Sequence, residues 1–146
     1  WGPPFFEDIA TSFHSVNRNK RSVALDLKDA RAVAWLTEFV RGQDILVQNM
    51  RPGSLEAMGL GAEALRAINP RLIYCNLHGF GARGPKALHP GYEPTVQAFA
   101  GMFSMNGTID GPPSRVGMQV LDLGTGVWAA LGCLAALQRR HHTGEG

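Results

Sequence analysis

The fold is decided by residues 22–48, which read SVALDLKDARAVAWLTEFVRGQDILVQ. The short apolar run over residues 22–27 predicts a strand, and residues 44–48 predict a second one. Between them, apolar side chains recur at helical spacing over residues 29–41, and Gly42 follows as a stop signal. A strand, a helix and a strand in this order indicate a right-handed βαβ unit with parallel strands.

The same patterns continue along the chain. A third apolar run over residues 72–76 predicts another strand, and a segment rich in glycine and proline over residues 78–91 predicts a loop. Helices are predicted over residues 54–58, 62–68 and 92–100, and from Leu121 or Asp122 to about His141. The sequence therefore predicts an α/β fold with a parallel sheet built from βαβ units.

Composition excludes several classes of protein. The chain has 146 residues, 45% apolar and 18% charged, which is enough to form one domain with a core. A net charge of +2 gives no electrostatic case for nucleic acid. The longest run without charged or strongly polar residues, 127–137, is too short to span a bilayer. Because no run is long enough, we expect no membrane partner. Cys75 and Cys133 lie in apolar runs, so we expect buried, reduced thiols and a cytoplasmic location.

Two motifs have simpler explanations than a ligand site. Residues 79–84 spell GFGARG, but no helical pattern begins at the third glycine, so a loop covering a substrate is favoured over a dinucleotide fingerprint. The adjacent His141 and His142 do not share a helix face, so we expect no metal site. With the two arginines before them, they are cations in a last helical turn, where the helix dipole favours positive charge.

Asp122 is the strongest candidate for chemistry. It is the single carboxylate in the apolar stretch VLDLGTG, residues 120–126. One interpretation is a helix N-cap. The other is a covalent nucleophile that the helix dipole keeps ionised, with Gly124 and Gly126 leaving room for a substrate. Glu93 also has two interpretations, as a first-turn acid or as part of a polar pair with Tyr92 facing Asp122 across a cleft.

Several blocks together carry a resemblance to a known family. Their order along the chain is that of the class III CoA-transferases, which this sequence resembles. This family includes formyl-CoA transferase and carnitine CoA-transferase, with α-methylacyl-CoA racemase as a sister branch. The blocks are NRNKRSVALDLK at 17–28, DILVQNMRPG at 44–53, NPRLIY at 69–74, DGPP at 110–113 followed by Asp122, and LAAL at 134–137 followed by TGEG at 143–146.

The resemblance implies an enzyme that moves coenzyme A between an acyl-CoA thioester and a carboxylic acid. Asp122 matches the nucleophile that forms an aspartyl anhydride and then an aspartyl-CoA thioester. Tyr92 and Glu93 match a tyrosine–glutamate pair of the transferase branch. In the racemase branch, a His-Asp pair stands there because proton transfer needs a base, so Tyr92 favours the transferase branch. A racemase-type isomerase is the alternative. A non-catalytic CoA-binding fragment is a third interpretation.

The resemblance also implies a cofactor site and a setting. Positions lining the CoA site match Leu25, Lys28, Asn49, Met50, Arg51 and Met58, and no metal is implied. Ala57 and Pro90 stand where some family members carry an arginine and a lysine. Residues 1–146 would form part of the large CoA-binding domain, without the family's first strand and its small C-terminal domain. The family forms interlocked homodimers, so we expect a homodimer here.

Overall fold

The computed structural model describes residues 2–146, and they begin with a small antiparallel hairpin. Strands β1 (Phe5–Phe6) and β2 (Ile9–Ala10) pair across a turn formed by Glu7 and Asp8. Both turn residues have positive φ, +49° and +62°, the conformation that a two-residue hairpin turn requires. Helix α1 (Thr11–Val16) follows directly.

The centre of the fold is a parallel pair of strands. Helix α2 (Ala30–Val40) leads into β3 (Ile45–Gln48), and a 3-10 helix (Glu56–Met58) and α3 (Ala62–Ile68) form the crossover to β4 (Ile73–Asn76). The pairing runs in register from Ile45 opposite Ile73 to Gln48 opposite Asn76. The predicted α/β class with a parallel sheet is confirmed, as are the strands near residues 44–48 and 72–76.

The predicted strand over residues 22–27 is wrong. This segment has no regular secondary structure, and Ser22, Val23 and Ala24 are exposed. A strand needs a neighbour to take its backbone hydrogen bonds. Among residues 2–146, β3 pairs only with β4, so no strand lies beside this segment. Leu27 nevertheless packs against the core, which accounts for part of the apolar pattern.

The core lies between the parallel strands and the helices that join them. One buried polar side chain helps to hold it: Asn69, after α3, donates hydrogen bonds from Nδ2 to the carbonyls of Val40 (3.0 Å) and Gln43 (2.9 Å). These two bonds fix the end of α2 against the start of β4. The buried apolar residues of this core are Val40, Leu55, Leu60, Leu65 and Leu72.

Two further helices complete the described chain. Helix α4 (Glu93–Phe99) is followed by a 3-10 helix (Met102–Met105) and, after a loop, by the long helix α5 (Val120–Thr143). Helix α5 packs against β4 and α4. It ends at Gly144, whose φ of +77° lets its N–H reach the carbonyl of Arg140.

Helix α5 is longer than the uncharged run at its centre. By length and composition alone, its 24 residues could cross a membrane, although a helix that packs within a protein can have the same length and composition. The sequence prediction counted only residues 127–137, which are too few to span a bilayer. The whole helix, Val120–Thr143, is longer than this run. In the described chain α5 contacts both β4 and α4.

The C-terminal part of α5 is fixed to the strands by Arg140. Its guanidinium donates from Nη2 to Asp44 Oδ1 (2.7 Å) and from Nη1 to the carbonyl of Arg71 (2.8 Å). The Arg140 side chain is only 10% exposed. Arg140, His141 and His142 lie in the last turn of α5, as predicted, and Arg140 in addition forms an ion pair and a hydrogen bond to the residues before the strands. Within residues 2–146, no group of histidine, cysteine and acidic side chains could hold a metal ion.

The two cysteines lie on neighbouring elements, Cys75 on β4 and Cys133 on α5, and both are free thiols. Cys133 is buried and Cys75 is half-buried. Burial first, and then the neighbouring Cys133, raise the pKa of the Cys75 thiol, which keeps it protonated.

Candidate active site

A cavity of about 450 Å³ opens at the carboxyl ends of the two parallel strands. This edge is where ligands bind in open α/β sheets. The walls of the cavity come from the loop after β3, the loop after β4, the segment that leads into α4 and the first turns of α5. The residues lining it are Asn49, Met50, Arg51, Pro52, Leu77, His78, Gly79, Ala87, Leu88, His89, Pro90, Gly91, Glu93, Val96, Leu121, Asp122, Thr125 and Gly126.

Glu93 lies at one wall of this cavity and is only 7% exposed. Its Oε2 accepts the backbone N–H of Asp122 at 2.7 Å, and its Oε1 accepts the N–H of Leu121 at 3.1 Å. A third bond comes from Gln97 Nε2, at 2.6 Å from Oε1. Glu93 therefore caps the N-terminus of α5 from another helix, and the interpretation of Asp122 as the cap is wrong.

Burial opposes ionisation of Glu93, but the surrounding donors outweigh it. Desolvation raises the pKa of this carboxyl. The hydrogen bonds from Gln97, Leu121 and Asp122, together with the charge of Arg115, hold the pKa of Glu93 below its ordinary value. Glu93 is therefore a fixed negative charge at the start of α5.

Asp122 is the third residue of α5 and is exposed. Partial burial of its carboxyl, and then the negative charge of Glu93, raise the pKa of Asp122 above its usual value. This differs from the expectation that the helix dipole alone would favour the ionised form. The reasons are desolvation of the carboxyl first, and then the like charge of Glu93, which lies beside Asp122 and accepts the N–H groups of the first turn.

Gln97 is a member of the site that sequence reasoning missed. It is completely buried, and it bonds to Glu93 through Nε2 and to the N–H of Val116 through Oε1 (2.9 Å). The available signal was its spacing: residues four apart share a helix face, so a polar Gln97 lies one turn beyond Glu93.

Gln48 shapes the loop after β3. Its Nε2 donates to Asn76 Oδ1 at the end of β4, and its Oε1 accepts the N–H of Met50 at 2.7 Å. One side chain thus links the ends of both strands to the loop that carries Asn49, Met50 and Arg51. These three predicted CoA-binding residues line the cavity together with Asp122 and Glu93.

The other predicted site residues lie outside the lining of this cavity. Tyr92 directly precedes α4 and is 72% exposed. Leu25 and Lys28 lie in the segment before α2, and Met58 packs partly against the core. The structure thus brings together five of the nine predicted residues.

The glycine-rich loop closes at a narrow neck beside the cavity. A Cβ added to Gly79 would lie 2.6 Å from the Cα of Gly91, so the two backbone segments meet too closely for a side chain. No helix begins within residues 79–91. The motif GFGARG therefore forms turns, with φ of +79° at Gly81 and +98° at Gly84, and not a dinucleotide-binding helix start.

The parallel strands, the cavity at their carboxyl ends and the acid pair beside it define an α/β protein with an acidic site at the start of a long helix. Comparison with known proteins identifies the family. Residues 1–146 match CoA-transferase family III, and the chain belongs to this family.

The relatives agree with this assignment. The chain is 42% identical over 146 residues to "Succinyl-CoA:glutarate CoA-transferase" of Mus musculus, covering all of this chain and 34% of the relative. It is 44% identical over 144 residues to "Acetyl-CoA:oxalate CoA-transferase" of Acetobacter aceti, covering 98% of this chain and 37% of the relative. The chain thus spans about a third of the length of these curated relatives.

The fold of a solved relative matches closely. A CAIB/BAIF family protein from Brucella suis superposes with a TM-score of 0.94 at 37% identity, over all of this chain and 40% of that one.

Proposed function

We propose that this chain carries the nucleophile and part of the CoA site of a CoA-transferase, with Asp122 as the attacking carboxylate. The observation that carries the proposal is the position of Asp122: exposed, lining the cavity, and on a helix start fixed by Glu93. A nucleophile held at fixed geometry beside a binding cavity is what covalent catalysis requires.

The proposed reaction proceeds by exchange of activated carboxyl groups. Asp122 attacks the donor thioester, the C–S bond breaks, and an aspartyl anhydride and CoA thiolate form. The thiolate attacks the aspartyl carbonyl, which gives an aspartyl-CoA thioester and releases the donor acid. The acceptor carboxylate repeats these steps in reverse and leaves as its CoA ester. No proton is transferred, so the sequence needs no general base.

The proposed roles of the other residues follow from their positions. Asn49, Met50 and Arg51 contact CoA from the loop after β3. Leu25, Lys28 and Met58 lie outside the cavity lining, and family membership alone supports their contact with CoA. Glu93 positions Asp122, and Tyr92, which is exposed and directly precedes α4, contacts the substrate. CoA enters as the acyl-CoA substrate. The names of the relatives support a short dicarboxylic acid as acceptor. A cytoplasmic homodimer completes the proposal.

The test is the isosteric change Asp122→Asn, made in the full-length protein. It should lower CoA transfer from succinyl-CoA to glutarate or oxalate by about a thousandfold or more, because the amide cannot act as nucleophile. Hydroxylamine or borohydride added with acyl-CoA should modify residue 122, as located by mass spectrometry of peptides. Asp8→Asn, in the hairpin turn, is the matched control and should transfer normally.

Normal turnover by Asp122→Asn, or a label on another residue, would contradict the proposal. Solvent deuterium appearing at the α-carbon of an acyl-CoA without transfer would instead indicate the racemase branch. CoA binding without turnover or labelling in the unmodified protein would indicate a non-catalytic module.

A further inference from the structure

The buried amide of Gln97 joins two segments that precede and begin α5. Its Oε1 accepts the N–H of Val116, in the loop between residues 106 and 119, and its Nε2 donates to Glu93. Glu93 in turn accepts the N–H groups of Leu121 and Asp122. Val116, Leu121 and Asp122 are thereby all anchored to one face of α4.

The hydrogen bonds fix the orientation of this amide. The N–H of Val116 can only donate, so the Gln97 atom facing it must be oxygen. An ionised Glu93 can only accept, so the atom facing it must be nitrogen. Neither glutamate nor an apolar residue reproduces both bonds at neutral pH, because ionised glutamate lacks the donor and an apolar residue lacks both groups. The position therefore selects glutamine chemically and not only by size.

We propose that Gln97 is a positioning residue for the transfer reaction: it orients Glu93, and through Glu93 it holds the first turn of α5 where Asp122 can attack. This inference rests on the proposed function for its catalytic readout. Gln97 is not among the residues lining the cavity, and its side chain bonds to Glu93 and Val116.

The charges around Glu93 determine how variants of Gln97 will behave. Asp122 on α5 and Arg115 in the preceding loop both act on this carboxyl. His78 and His89 line the same cavity. All four groups are unchanged in every variant described below. Differences between the Gln97 variants therefore reflect the side chain at position 97.

Two substitutions separate positioning from packing. Gln97→Met keeps the volume and removes both bonds, so kcat should fall about tenfold or more at every pH, with the KM for CoA thioester within about twofold. Gln97→Glu keeps the shape, and it keeps both bonds only while the introduced carboxyl shares a proton with Glu93. Its activity relative to the unmodified protein should therefore fall as pH rises, because two adjacent carboxylates then repel each other.

The matched control is Gln119→Met. Gln119 directly precedes α5, and its side chain does not cap the helix within the described chain. This variant should keep the kcat and the pH profile of the unmodified protein. Melting temperatures of all variants show that each one is folded at the pH of assay.

A second readout does not depend on catalysis. Hydrogen exchange of the amides of Val116, Leu121 and Asp122 should be faster in Gln97→Met than in Gln119→Met, since their acceptors are lost or released. If these amides remain protected and kcat stays unchanged in a folded Gln97→Met, the inference is wrong. Equal pH profiles for the Met and Glu variants would likewise show a packing role only.

The two proposals fail in different ways. An unmodified protein that neither transfers CoA nor labels Asp122 contradicts the proposed function, and exchange at the three amides still tests Gln97. A protein that labels Asp122 and tolerates Gln97→Met contradicts this inference alone.

Discussion

At the scale of single residues, the site depends on which carboxylate caps α5. The first N–H groups of a helix lack partners within the helix and attract an anion. Glu93, reaching across from α4, accepts those of Leu121 and Asp122. Asp122 is therefore released from capping its own helix, and its carboxyl remains accessible at the cavity.

The charge of Glu93 also influences the pH at which Asp122 ionises. Asp122 must be ionised to attack, so transfer falls as pH drops through its pKa. Because Glu93 contributes to raising that pKa, Glu93→Gln should move the acid limb of kcat/KM to lower pH. The same change should lower the maximal rate, because one amide oxygen replaces two carboxylate acceptors. Rates measured between about pH 4 and 8 check both effects.

Glu63→Gln is the control for this prediction, because Glu63 is an exposed acid of α3 outside the cavity lining. It should leave the acid limb in place. An acid limb that stays fixed or rises in Glu93→Gln would show that the charge of Glu93 does not act on the nucleophile.

At the scale of elements, each end of α5 is held by hydrogen bonds with residues that are distant in sequence. Glu93 fixes its start, and Arg140 fixes its last turns to the strands through Asp44 and the carbonyl of Arg71. The proposed chemistry lies at one end of the helix and the anchor at the other. Loosening the anchor should therefore affect stability more than transfer.

Arg140→Met should lower the free energy of unfolding by about 1–3 kcal/mol, because a largely buried guanidinium loses its hydrogen bond to the Arg71 carbonyl together with its ion pair. Asp44 is 75% exposed, so its ion pair with Arg140 is screened, and Asp44→Asn should cost less than about 1 kcal/mol. Urea unfolding of the two variants measures the difference. Equal losses for Asp44→Asn and Arg140→Met would show that the ion pair, and not the carbonyl bond, holds the helix.

The elements also show how far the sequence could predict this molecule. Most elements could be predicted from local signals, namely the spacing of apolar residues and the glycines and prolines that end an element. These elements are β3, β4, α2, α3, α4 and α5. The segment 22–27 has the same local pattern but no neighbouring strand within the described chain, and strand formation depends on that distant partner. The capping of α5 by Glu93 could not be predicted for the same reason, since 29 residues separate Glu93 from Asp122.

At the scale of the whole molecule, the apolar residues of α5 exceed what the described chain covers. Val127, Trp128, Leu131 and Leu134 are all exposed, with Trp128 at 72%. On α2, Trp35 and Phe39 stack on each other and are also about half exposed. Contiguous apolar surface of this kind marks an interface or a liability for aggregation.

We therefore predict that residues 1–146, expressed as they stand, associate through the exposed face of α5. Burying one large apolar side chain contributes roughly 1.5–3 kcal/mol, so a few of them suffice to drive association at micromolar concentration. The double change Trp128→Gln and Leu131→Gln should shift sedimentation toward the monomer without altering helix content, since both side chains are exposed and glutamine is a good helix former. The paired change Trp35→Gln and Phe39→Gln on α2 is the matched control, similar in the apolar side chains removed but on another helix. A chain that sediments as a monomer before any substitution, or that responds only to the α2 changes, would exclude the α5 face as the contact.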